Sequence, residues 1–423
     1  MTATVDAAAL ELRRFLRAGD RIVWGQACAE PTTLIEALIA QAGDIGHISA
    51  FAATSFSGLL DRAAEKIDIS SMGAIGALRT LAAAHKLGIV PCHVSQVGPM
   101  IELGLIGCDV AFLQVSPPDR HGRHSFGLAG DFVQSMVAKA RVVIAEVNEL
   151  VPYTHGDAVL PTDRIDCAVA VARMPVEVRP AQIGDTDHAI ARIVAAYIED
   201  GAILQIGFGA VPDAILRLLR DRRHLGVHSG MIGDGVVDLV EAGVVTNALK
   251  PIDTGVSITG TLIGSRRLFS FAHDNPQIGM RATRYTHNAA ILAQLPKLVT
   301  INSAVEVDLS GQVNAEQSGS HYLGGTGGQV DFVRAGARAA AGRAIIALPA
   351  TAQGGKVSRI TASLAGPVTT PRSDVDVIVT EFGAAELKGQ TLSERARRLA
   401  AIAHPAFREE LERAARGIRQ RGF

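Results

Sequence analysis

The sequence predicts an α/β protein made of two similar domains with mainly parallel sheets, and three observations carry that prediction. Short apolar strands alternate with helix-period segments along most of the chain, at Ile22–Trp24, Ile89–Val90, Val110–Leu113, Val142–Ala145, Leu204–Ile206, Leu298–Ile301, Ile345–Leu348 and Val377–Val379. Their hydrophobicity is continuous rather than alternating, as in parallel strands covered by helices on both faces. The second observation is self-similarity. Phe15–Gly25 (FLRAGDRIVWG) matches Tyr197–Gly207 (YIEDGAILQIG) in helix end, glycine, strand and closing glycine, and Arg141–Ala145 (RVVIA) resembles Arg343–Ala347 (RAIIA). Pro31, Leu34 and Ile35 correspond to Pro212, Ile215 and Leu216 with one residue slipped. The third is size: 423 residues, 48% of them hydrophobic, exceed the roughly 250–300 at which one core stops growing.

An internal duplication accounts for these facts most simply. The first domain is expected over residues 1–180 and the second over 187–423, joined by the Pro-rich, polar stretch Met174–Thr186. The second domain ends in a charged helical tail, Thr391–Phe423, interrupted at Pro405. Met1–Ala18 mixes Asp6, Glu11, Arg13 and Arg14 with alanines and leucines and reads as an amphipathic helix, not a signal peptide.

Composition narrows the function. Lys+Arg is 41 against Asp+Glu 42, and aromatics are only 4%, so neither the basic excess nor the stacking surface of a nucleic-acid binder is present. No apolar run reaches the roughly 18 residues of a membrane helix. Cys28, Cys92, Cys108 and Cys167 lack metal-ligand spacing and suit a cytoplasmic chain with reduced thiols and no metal. Glycine is the surplus, at 43 residues, and each must be offset by geometry or function.

Three glycine-rich runs are candidates for that function. Gly207-Phe208-Gly209-Ala210-Val211-Pro212 follows a strand and opens a predicted helix, Asp213–Arg220. It is either a tight turn or a nest of N–H groups for an anion. Pro212 breaks the dinucleotide fingerprint that the run begins. Gly324-Gly325-Thr326-Gly327-Gly328-Gln329 holds more glycine than a structural turn requires and lets backbone approach a ligand. His228-Ser229-Gly230-Met231-Ile232-Gly233-Asp234-Gly235 precedes a predicted helix, Val236–Ala242. No nucleophile elbow accompanies Ser229, and His228 is either a satisfied core histidine or a catalytic one. Glu306, between apolar neighbours, is either a buried acid with a raised pKa or a partnered structural one.

The runs VSPPDRHGRHSFG (115–127), IAEVNELVPYTHGD (144–157), HSGMIGDGVVDLVEAGVVTN (228–247), INSAVEVDLSGQVNAE (301–316), GGTGGQVDFVRAG (324–336), TAQGGKVSRI (351–360) and VIVTEFGAAELKGQTLSERARRLAAIAHPAFRE (377–409) resemble the acetyl-CoA hydrolase/transferase family. Within it they are most like the 4-hydroxybutyrate and butyrate CoA-transferases. The resemblance implies a CoA-transferase-type fold and an enzyme acting on a short or medium acyl-CoA and a carboxylate. Coenzyme A would be a substrate, no metal would be needed, and the chain would form a homo-oligomer. The family's nucleophile is a Glu in a run like H-[ST]-E-M-x-x-D-G, and here Gly230 holds that position. By the same resemblance Asp234, Glu306 and Asn288 are catalytic candidates, with Glu30 and His228 as alternative bases. Gly207, Gly209, Ala210, Val211, Gly324, Gly325, Gly327, Gly328, Gln329 and Lys356 would hold CoA or polarise its carbonyl. Without a glutamyl adduct, the alternatives are a CoA-thioester hydrolase, a CoA-linked C–C bond hydrolase, a non-catalytic acyl-CoA binder, or a subunit acting with a partner chain.

Overall fold

The computed structural model describes residues 3–157 and 159–422, so the outermost residues of the expected domain spans, 1–2 and 423, lie outside the described residues. The chain forms two compact units. One comprises residues 1–179, 230–234 and 256–288; the other comprises 180–229, 235–255 and 289–423. Residues 230–234 and 256–288 lie beyond the linker in sequence yet pack in the first unit, because strand pairing ties them there. Met231–Ile232 runs parallel to Thr261–Leu262, and Ile278–Met280 joins Ser257–Thr259 to His155–Gly156.

The first unit is built on a fully parallel sheet of β1 (Ala3–Asp6), β2 (Arg21–Trp24), β3 (Ser49–Phe51), β4 (Asp68–Ser71), β5 (Leu87–Ile89), β6 (Val110–Val115), β7 (Val142–Asn148) and β8 (Cys167–Val171). Their order is β1-β8-β7-β6-β2-β3-β4-β5. Helix α1 (Thr32–Ile45) buries Leu34, Ile35, Leu38 and Ala42 in a core with Ile22, Trp24, Phe112, Ile144 and Val169. The strand Val110–Val115 is buried throughout, as the unbroken hydrophobicity of Val110–Leu113 predicts, and carries the polar Gln114 into the interior with it.

The second unit repeats that plan with β9 (Ile203–Ile206), β10 (Gly226–Val227), β11 (Leu298–Asn302), β12 (Arg343–Ala347), β13 (Val377–Thr380) and β14 (Gly383–Glu386). The order is β10-β9-β11-β12-β13-β14, parallel except for the final hairpin. The core order β8-β7-β6-β2-β3 recurs as β13-β12-β11-β9-β10. The two matched sequence stretches fall on equivalent strands, β2 with β9 and β7 with β12. Helices α2 (Ala210–Leu218), α3 (Asp234–Glu241), α4 (Gln329–Arg338), α5 (Leu392–Ala401) and α6 (Pro405–Arg421) follow. Pro405 stands at the start of α6, where its missing N–H removes nothing.

The N-terminal segment differs from the helix its composition predicts. Ala3–Asp6 lies parallel to Cys167–Ala170, and only single 3-10 turns follow, at Ala7–Ala9 and Leu12–Arg14. Leu10, Leu12 and Leu16 are buried at spacings that no single helix face accommodates. Strands β3 and β4, which are not among the strands expected from hydrophobicity, take their form from pairing with β2 and with each other.

Candidate functional site

In an open parallel sheet, ligands bind beyond the carboxyl ends of the strands, where successive strands leave in opposite directions. In the first unit that point lies between β2 and β6, and in the second between β9 and β11. The candidate residues divide into two sets, one in each unit.

In the second unit, Gly207 ends β9 with nothing within 4 Å of where a Cβ would stand. Gly209 has φ 117, a conformation L side chains rarely adopt, and caps α2 without a side-chain hydrogen bond. Ala210 and Val211, half-buried, form the first turn, so their N–H groups have no intrahelical partner. Gly328 stands likewise at the start of α4, again without a side-chain cap. Upstream of it, Gly327 has φ 52 and Gly324 sits with Ala315 O where a Cβ would be. The loop is anchored at Glu316, whose carbonyl accepts from Leu323 N (2.7 Å) and Gly324 N (2.8 Å). Its carboxylate accepts from Tyr322 Oη at 2.5 Å and Thr369 Oγ1 at 2.8 Å. Gln329 is buried and donates through Nε2 to Thr370 Oγ1.

Glu306 is half-buried and accepts from Asn314 Nδ2 at 2.9 Å. Asn314 Oδ1 in turn accepts from the backbone N of Glu316 at 3.0 Å, linking Glu306 to the glycine loop. Lys356 is exposed in the hairpin between Thr351–Ala352 and Val357–Ser358, on the connection leaving β12. His228 and Ser229 are fully buried, with His228 N bonded to Leu204 O and Ser229 Oγ donating to Ile206 O.

The first unit holds Gly230, Asp234 and Asn288. Gly230 is half-buried, and its carbonyl accepts from Gly260 N and Thr261 N, each at 3.1 Å. Asp234 is committed to Ser265, accepting from its N at 2.8 Å and its Oγ at 2.6 Å. Asn288 is exposed, just past the single turn Thr283–Thr286. Glu30 is fully buried and accepts from Ser55 Oγ and from the N–H groups of Phe56 (2.9 Å) and Ser57 (2.8 Å). Burial pushes its pKa up against those hydrogen bonds. Burial likewise pushes the nearby Cys28 thiol up to about 12, so it stays a thiol at neutral pH.

Sequence reading missed Asp131 and Gln26. Asp131 is 3% exposed and accepts from Gln26 Nε2 and Thr261 Oγ1. Desolvation raises its pKa to about 6. A lone acid in the apolar, glycine-bearing run Phe126–Val133 was the available signal. Among the described residues no group of three or more His, Cys, Asp or Glu side chains could hold a metal. No helix there is long and apolar enough to cross a membrane.

Glycine-rich turns and uncapped helix starts beyond the carboxyl ends of parallel strands suit an α/β enzyme that binds an anionic ligand. The chain belongs to the acetyl-CoA hydrolase/transferase family: residues 6–180 match its N-terminal domain and 264–415 its C-terminal domain. It is 39% identical over 398 residues to the 4-hydroxybutyrate coenzyme A transferase of Clostridium kluyveri, covering 92% of each chain. Among solved structures, RipA from Yersinia pestis superposes with a TM-score of 0.92 at 34% identity, covering 98% of this chain and 97% of that one. A 4-hydroxybutyrate CoA-transferase from Porphyromonas gingivalis gives a TM-score of 0.83 at 32% identity, covering 99% and 97%. The family and fold expected from the motifs are thereby confirmed.

Proposed function

We propose that this protein is an acyl-CoA-dependent enzyme that moves CoA from a short or medium acyl-CoA onto an acceptor carboxylate, leaving the acyl group as a free carboxylate, or releases CoA by transfer of the acyl group to water. The observation that carries the reading is identity across 92% of a 4-hydroxybutyrate coenzyme A transferase. The glycine turns at Gly207–Val211 and Gly324–Gln329 support it. They leave backbone N–H groups at the starts of α2 and α4 without side-chain caps, ready for CoA phosphates or a thioester oxyanion. Lys356, exposed on the hairpin after β12, supplies a cation for CoA or its thioester carbonyl. Asn288 orients the substrate.

Gly230 sets the mechanism. A glutamate at that position would attack the thioester, pass the acyl group on, and carry CoA as a glutamyl thioester. Glycine offers no carboxylate, so the covalent relay is absent. Asp234 and Glu306 do not replace it, being held by Ser265 and Asn314. Gly230 therefore favours a second reading within the family, direct thioester hydrolysis or attack by the acceptor without an enzyme adduct. The four buried free cysteines accord with a reducing cytoplasm, and we take the working unit to be a metal-independent homo-oligomer. Thiol release from acetyl-CoA and butyryl-CoA, together with acetyl-CoA formation from butyryl-CoA and acetate, tests the proposal. Acetate-dependent exchange identifies a transferase and acetate-independent release a hydrolase. Absence of both with every acyl-CoA would overturn the enzymatic reading.

A further inference from the structure

Asp131 ties together three segments of the first unit, those of Gln26, Thr261 and Thr283, the second of which also holds Gly230. Its carboxylate accepts from Gln26 Nε2 on the turn after β2. Both of its oxygens also lie within reach of Thr261 Oγ1, at 2.7 and 2.8 Å. Thr261 N and Gly260 N in turn hold the Gly230 carbonyl. The main-chain carbonyl of Asp131 accepts from Thr283 N at 2.8 Å, which fixes the turn leading to Asn288. The approach is close: a Cβ on Gly260 would stand 2.5 Å from Asp131 Oδ1 and 3.1 Å from Gly230 O. Beside Gln26, Ala27 is held at φ 57, a left-handed conformation that is unfavourable for a residue with a Cβ. The turn is thus held in place by its bonds rather than by backbone preference.

We propose that Asp131 is a positioning residue for the acyl-CoA reaction, its carboxyl fixing through Thr261 where the Gly230 peptide stands relative to the thioester. Buried and already bonded to Gln26 and Thr261, it does not touch substrate; it acts by locking Gln26 and Thr261 in one arrangement. This rests on the acyl-CoA reading above. A positioning role differs from a merely structural one in what it changes: turnover falls while CoA affinity and folding hold.

The test compares wild type with Asp131→Asn, Thr261→Val and Thr261→Ser by CoA titration calorimetry, thermal melting and butyryl-CoA-dependent thiol release or exchange. Asp131→Asn and Thr261→Val are expected to lower kcat at least tenfold with the CoA Kd changed less than threefold. Thr261→Ser, which keeps the hydroxyl, recovers most of the loss, and the Asp131→Asn/Thr261→Val double variant is no slower than the worse single. Should Asp131→Asn fail to fold, the Thr261 pair decides alone. Multiplicative losses in the double variant, or Thr261→Val turning over within threefold of wild type, would overturn the inference while leaving the acyl-CoA reading intact. A wild-type protein that neither binds CoA nor acts on butyryl-CoA would overturn both.

Discussion

Gly209, Gly324 and Gly230 are glycines for separable reasons, and the reasons predict different phenotypes. Gly209 has φ 117 and ψ -176 with open space around it, so a side chain there meets only backbone strain, about 1–3 kcal/mol. Gly324 has no room, because Ala315 O fills the place of its Cβ. Gly324→Ala must shift the loop away from Glu316, and we expect it to weaken CoA binding about tenfold, a loss of about 1.4 kcal/mol, measurable by calorimetry. Gly230 is the third kind of case, where the side chain that is missing is a chemical one. Gly230→Glu is expected to gain acetate-dependent CoA exchange, read as transfer of CoA from butyryl-CoA to acetate. No gain in a folded variant would argue against position 230 as the site of a covalent carboxylate.

At the scale of elements, the glycine loop is held by a strap. Glu316 closes it through Leu323 and Gly324, and its carboxylate is satisfied by Tyr322 and Thr369. Tyr322→Phe leaves one oxygen of that buried carboxylate short of a donor, a cost of about 1–3 kcal/mol. The expected result is a lower Tm and weaker CoA binding, with the first unit's core unaffected. Strand β7 makes a pH prediction. Glu146 is fully buried, accepts from Thr33 N at 2.9 Å, and desolvation raises its pKa from 4.5 to about 7. A raised folded-state pKa stabilises the fold below the unfolded value, and that stabilisation is lost as pH climbs through the folded one. Between about pH 4.5 and 7 this group therefore costs the fold roughly 1–3 kcal/mol of stability. Glu146→Gln flattens that decline in urea melts across the range, and its amide can donate towards Gln114, the cross-strand neighbour whose buried Oε1 has no donor among the described residues. An unchanged slope would contradict the assignment. How much of this was legible in sequence depends on the element. Val110–Leu113 and Ile345–Leu348 announced themselves by continuous hydrophobicity, whereas β3 and β4 did not, because Ser49, Asp68 and Ser70 take strand geometry from neighbouring strands and not from their own propensity. Glycine runs marked the turns at Gly207 and Gly324, since glycine's cost is visible wherever it accumulates. Asp131 and Glu316 stayed hidden because their role lies in contacts 130 and 53 residues away along the chain, at Thr261 and Thr369.

For the whole molecule, two copies of one parallel plan have diverged in what they place at their carboxyl edges. The first puts two buried polar pairs there, Gln26 with Asp131 and Ser55 with Glu30. The second puts glycine turns and uncapped helix starts. The strand order recurs between them, and the sequence repeat at Gly19–Gly25 and Gly201–Gly207 is its surviving trace. We propose that the glycine turns of the second unit bind a CoA thioester while Gly230 leaves no carboxylate to carry CoA covalently. The most direct measurement is borohydride trapping during turnover of butyryl-CoA, followed by peptide mass spectrometry of every glutamate. The account predicts turnover or thiol release with no reduced glutamyl adduct on any peptide; a reduced glutamate mapped to any position in the chain would contradict it.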